Sequence, residues 1–349
     1  MFWADIPSSV LAGFRDGAVI PAHPLALDEN RSFDKQRQRA LSRYYIDAGA
    51  GGLAVGVHTT QFAIREAGLF EKVLETAAET ADGWSAHRLI MIAGVAGRTA
   101  RATAEAQTAR ALGYHAVLVS LAAMKGASED ELISHCVTIA AEMPLIGFYL
   151  QPAVGGIPLS AAFWRRFAAI ENVIGIKVAP FNRYATLGVV HGVAASGAAD
   201  RVTLYTGNDD HIVLDLIIPF ETEAGRLHFA GGLLGHWSVW TRSAVEILTR
   251  CKAARDAGSV SADLLALDSA ITDCNAAFFD VANAFHGVIA GCHEVLRRQG
   301  LLTGRWCLDP REDLSPGQAE AIDRVYRRYP QLNDDRFVAD NLERWLCDA

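Results

Sequence analysis

Between residues 17 and 240 the chain repeats one pattern eight times, a short apolar run bounded by turn residues followed by a longer amphipathic segment. The runs fall at 17–23, 52–58, 89–94, 115–120, 145–149, 173–177, 202–206 and 227–234. Apolar runs of this length suit strands buried on both faces, and the segments between them suit crossover helices. The spacing predicts helices at 33–48, 66–81, 100–112, 128–142, 160–169 and 182–195. Eight such units with no antiparallel excursion predict an α/β fold, a closed TIM (β/α)8 barrel in preference to an open doubly wound sheet. Residues 1–16 read as an N-terminal segment and 17–237 as the barrel. Residues 238–349, whose helical signals are broken by Gly300, Gly304, Pro310 and Pro316, read as a C-terminal helical extension packed on it.

In a barrel of this kind the reactive groups sit at the C-terminal ends of the strands. The candidates are His23, His58 with Thr59 and Thr60, Ser120, Tyr149, Lys177, the turn Gly207-Asn208-Asp209-Asp210, and Gly235-His236. Lys177 needs the most explanation, because it sits inside the apolar run Val-Ile-Gly-Ile-Lys. A buried ammonium must find a counter-charge, snorkel to water or lose its proton, and the last outcome makes an amine nucleophile able to form a Schiff base. Side-chain alternation puts Lys177 on a face with Gly175 and Val173, and Tyr149 on a face with Gly147 and Leu145. If the two strands are neighbours, about 4.8 Å apart, the Tyr149 hydroxyl reaches the lysine and can shuttle protons.

The bulk numbers narrow the partners. A net charge of -8 and a pI of about 5.8 leave no basic patch for nucleic acid. The start Met-Phe-Trp-Ala-Asp-Ile-Pro lacks the basic region and apolar core of a signal peptide. Nor do about 18 apolar residues run without charge, so a cytoplasmic protein with no membrane partner is expected. The six cysteines are widely spaced with no Cys-x-x-Cys pair, and read as reduced packing residues. No metal and no cofactor is expected.

Several phrases, in order, resemble the dihydrodipicolinate synthase and N-acetylneuraminate lyase superfamily of Schiff-base aldolases. They are Ala-His-Pro-Leu at 22–25, Ala-Gly-Ala-Gly-Gly-Leu-Ala-Val-Gly at 48–56, Ile-Ala-Gly-Val-Ala-Gly at 92–97 and Phe148-Tyr149-Leu150-Gln151-Pro152. Ile174-Gly175-Ile176-Lys177, Tyr205-Thr206-Gly207-Asn208-Asp209 and Gly300-Leu301-Leu302 complete the set. The resemblance implies that Lys177 forms an imine with pyruvate or another 2-oxo acid and that Tyr149 relays protons. It further implies substrate contacts from His58, Thr59, Thr60, Gly207, Asn208, Asp209 and His236, an aldehyde or sugar-acid co-substrate, and a homo-oligomer, dimer or tetramer.

The departures are as informative. Where the family usually has Gly-Thr-Thr-Gly-Glu, this chain has Gly56-Val57-His58-Thr59-Thr60-Gln61. Either His58 or the pair Thr59 and Thr60 then holds the substrate carboxylate. The paired tyrosines after the fourth strand are replaced by Ser120-Leu121-Ala122-Ala123, and Val154 stands near the place of a frequent arginine. Lysine biosynthesis is therefore not the expected role. Two other readings stay open: a metal-dependent hydrolase or aldolase using His23, His58 and His236, and a non-catalytic ligand sensor on the same scaffold.

Overall fold

The computed structural model describes residues 1–347. Its strands are β1 (Val19–Pro21), β2 (Gly52–Val55), β3 (Ile90–Val95), β4 (Ala116–Val119), β5 (Leu145–Leu150), β6 (Val173–Ala179), β7 (Thr203–Thr206), a hairpin of β8 (Phe220–Thr222) with β9 (Gly225–Leu227), and β10 (Phe229–Leu234). All but the hairpin form one parallel sheet in the order β1-β10-β7-β6-β5-β4-β3-β2. A parallel bridge between Ala22 and Ala54 joins its two ends, and the His23 amide donates to the Ala54 carbonyl at 2.8 Å. This is the expected (β/α)8 barrel.

The helices Lys35–Ala48, Phe70–Trp84, Thr99–Ala111, Glu129–Ala140, Ala161–Ala169 and Arg183–Ala194 follow β1 to β6, each within a few residues of its expected span. Their starts are fixed locally. Asp34, Ser128, Ser160 and Asn182 each accept a hydrogen bond from an amide in the first turn, and Ser128 with Glu131 forms a full capping box. The hairpin and the short helix Ile212–Ile217 were not expected from the sequence. Thr241–Ala257 completes the eighth strand-helix unit by packing on β1 and Lys35–Ala48, within the region beyond residue 237.

Two apolar layers result. Outside, the strands meet the helices. Inside, Ile20, Ile92, Leu118, Ile146, Phe148 and Leu233 are among the side chains that fill the barrel. The N-terminal segment contributes the helix Ser8–Asp16, whose Val10, Leu11 and Phe14 belong to this interior cluster. Phe14 stacks on Tyr205 with ring centroids 4.7 Å apart, and the Tyr205 hydroxyl donates to the Phe14 carbonyl at 2.7 Å. A Cβ at Gly175 would lie 2.9 Å from the Phe14 ring, so the glycine two residues below Lys177 makes room for this plug.

The remaining helices, Ala262–Phe278, Val288–Arg298, Gln318–Arg328 and Asp335–Leu346, form the C-terminal extension. Asp335–Leu346 lies along Lys35–Ala48, where the Trp345 indole donates to Asp47 at 2.6 Å and the Tyr44 hydroxyl to Asp334 at 2.7 Å. Among the described residues no helix is long and apolar enough to cross a membrane.

Candidate active site

The C-terminal mouth of the barrel holds a narrow pocket with about 50 Å³ of free space. Lys177, near the end of β6, reaches into it from the barrel interior and is 6% exposed. Gly207 creates its channel, since a Cβ there would lie 2.8 Å from the Lys177 Cε and 3.1 Å from its Cγ. The amine sits over the Phe148 ring, 4.4 Å from the centroid. Within the described residues no ion pair or hydrogen bond engages it. Burial lowers its pKa to about 8, against the opposing pull of the Asp209 carboxylate.

Tyr149 is not beside it, which corrects the sequence reading. Lys177 pairs with Phe148 and Tyr149 with Val178, and the β5–β6 register shifts between Leu145 and Ile146. In β6 both Ile174 and Gly175 face the barrel interior, so Val173 and Lys177 lie on opposite faces. In β5 the interior face is Ile146, Phe148 and Leu150. Tyr149 points into the helix layer, its ring 5.2 Å from that of Trp164, and its hydroxyl accepts from the Leu159 amide at 3.2 Å. A phenyl ring therefore stands where a phenol was expected.

The other candidates divide. His58, Thr59, Gly207 and Asp209 line the pocket, while Thr60, Asn208 and His236 do not. Thr60 is spent inside its turn, with its hydroxyl accepting from the Gly56 amide at 2.9 Å and donating to the His23 carbonyl at 2.6 Å. The Asn208 side chain accepts from the Phe181 amide at 3.1 Å and donates to Asp215 at 2.9 Å. The His236 ring is buried against Phe278, with Nδ1 3.3 Å from the Asn275 amide nitrogen. Its backbone serves the site instead, donating to Asp209 Oδ1 at 2.9 Å. His23 likewise turns outward, with its ring nitrogens at Ser42 Oγ (2.9 Å) and the Pro24 carbonyl (2.8 Å). The three strand-end histidines thus do not converge, and no cluster of metal-ligating side chains occurs among the described residues.

Burial dominates the electrostatics. It raises Asp209 to about 7, against the His236 amide and Lys177, which both favour the carboxylate. It lowers His58 to about 4, with Lys177 adding to the effect, so His58 stays neutral near pH 7 and keeps one N–H to donate. The pocket is completed by groups the sequence did not flag, notably Phe148, Leu150, Gln151, Phe181, Phe279 and Val288. Only Gln151 could have been found, as the polar member of the Phe-Tyr-Leu-Gln-Pro phrase.

Fold and site together define a (β/α)8 barrel with a desolvated lysine at its C-terminal mouth. The chain belongs to the dihydrodipicolinate synthetase family, whose model matches residues 16–219. It is 23% identical over 320 residues to N-acetylneuraminate lyase 2 of Escherichia coli O6:H1, an alignment covering 90% of this chain and 95% of that protein. Among solved structures it resembles a dihydrodipicolinate synthase at 17% identity, with a TM-score of 0.73 over 90% of this chain and 99% of the other. The dihydrodipicolinate synthase of Acinetobacter baumannii, complexed with pyruvate, matches at 18% identity and a TM-score of 0.72 over 89% and 98%. At such identities the structural likeness speaks for the fold.

Proposed function

We propose that this lyase is a Schiff-base aldolase in which Lys177 condenses with the ketone of pyruvate or another 2-oxo acid. The observation that carries the reading is the amine itself, buried, facing the pocket, without a hydrogen bond among the described residues and with its pKa lowered to about 8. A substantial neutral fraction is then present near pH 7.5 and can attack the ketone carbon. The new C–N bond forms as the carbonyl oxygen takes up a proton; loss of that oxygen as water leaves the iminium. The iminium draws electrons from C3, so a bond from C3 to an aldehyde carbon can form or break through the enamine, and water later returns the free amine.

Two pocket groups fit the remaining tasks. His58, neutral and with an N–H to give, suits the substrate carboxylate, whereas the Thr59 hydroxyl already donates to the Ala22 carbonyl at 2.7 Å. Asp209, raised to about 7, suits the proton relay that Tyr149 is turned away from performing. Incubation with pyruvate and borohydride is expected to add the mass of the reduced imine at Lys177, and Lys177→Ala to abolish it. Absence of an adduct with every 2-oxo acid of a panel overturns the proposal.

A further inference from the structure

The walls around the lysine are unequal in chemistry. His58, Lys177 and Asp209 supply the polar groups that a 2-oxo acid head needs, and most of the remaining wall is apolar: Phe148, against the amine itself, with Leu150, Val154, Phe181, Phe279 and Val288. Resting on the imine reading, we infer that Lys177 takes a 2-oxo acid whose chain beyond C3 is apolar, aliphatic or aromatic, and not one that carries a second carboxylate or a run of hydroxyls.

A second carboxylate would find no arginine, and no lysine other than Lys177, on the described pocket wall. A polyhydroxylated chain would bring several donors and acceptors against rings and methyl groups, each losing water without replacement. The Thr59 hydroxyl is already committed as a donor, so Gln151 is left as one polar side chain able to meet one oxygen. That suffices for the single hydroxyl an aldol step creates at C4. Each apolar methylene, in contrast, gains about fourfold in binding from burial.

The apolar roof is held by unusual backbone. Phe181, Asp280, Ala284 and Phe285 have φ of 51°, 55°, 53° and 67°, a left-handed region costly for residues with a Cβ. The Phe181 and Phe285 rings meet edge to face at 5.9 Å, and the Asp280 carboxylate accepts from the Gly287 amide at 2.9 Å and from the Ser315 hydroxyl at 2.5 Å. Phe279 and Val288 flank this segment, so a substrate chain longer than the free space must pass between apolar walls fixed from both sides.

The test is borohydride trapping with pyruvate, 4-methyl-2-oxopentanoate and 2-oxoglutarate, read as the half-saturating concentration of each. We expect 4-methyl-2-oxopentanoate to saturate at a concentration at least about tenfold below 2-oxoglutarate. Val154 is half-buried at the end of the 3-10 turn Pro152–Val154, between exposed neighbours, where a longer side chain can reach water, so Val154→Arg is expected to cut that ratio by about tenfold or more. Equal or better use of 2-oxoglutarate by the unaltered protein overturns the inference. So does exclusion of both longer acids while pyruvate is trapped, or a ratio that Val154→Arg leaves unchanged. Absence of any adduct, with pyruvate included, instead removes the imine reading beneath it.

Discussion

Lys177 and Asp209 are each held away from their ordinary protonation by burial, and each partly restores the other's charge. That reciprocity fixes the sign of one experiment. In the unaltered protein the neutral amine accumulates as pH rises through about 8, so the rate of pyruvate trapping should climb to that point and then level off. Asp209 raises the lysine pKa, and Asp209→Asn removes the raising charge while leaving the burial. The rising limb should therefore move to lower pH in this variant. Turnover should at the same time fall by about 10²- to 10⁴-fold, the usual contribution of a positioned proton-transfer group. A limb that stays in place or moves upward would show that the two groups do not share the site in this way.

At the scale of elements, the end of the barrel opposite the pocket is closed by the helix Ser8–Asp16, with Phe14 buried under β6 and β7. Phe14→Ala removes a ring stacked on Tyr205 in a tightly filled interior. It should cost about 3–5 kcal/mol in denaturant unfolding, and a loss under about 1 kcal/mol would mean the plug is not part of the core. What could be read from the sequence follows the same physics. Eight apolar runs separated by amphipathic segments leave few folds open, and the strand ends then locate the mouth, Lys177 included. Which face of β5 looks inward is different, because a parallel strand buried on both sides shows no polar alternation. The register shift beside Leu145 and Ile146 has no signature in the letters, yet it decides that Phe148 and not Tyr149 meets the lysine. Thr60, Asn208 and His236 lie at strand ends as read, but their side chains are consumed in holding the turns and helices around the pocket.

For the whole molecule, the pocket wall draws on residues at or just after the ends of β1 (Ala22), β2, β5, β6, β7 and β10 (Gly235), with Phe279 and Val288 from the extension. Ser120 to Ala123, where the family's paired tyrosines would stand, contribute nothing to that wall. We propose a dimer or tetramer formed in part through the helix Arg183–Ala194, where Tyr184 is 86% and Leu187 38% exposed one turn apart. Light scattering on the eluting protein should report more than one chain. Charges placed on that face, in the double variant Tyr184→Asp with Leu187→Asp, should shift it towards the monomer. The monomer should still trap pyruvate at Lys177, because His58, Phe148 and Asp209, which surround the amine, belong to the same chain as the lysine. A monomer that keeps its fold but no longer forms the adduct would place part of the chemistry in the contact between chains. A monomeric parent protein would remove the assembly proposal and leave the one-chain site as it stands.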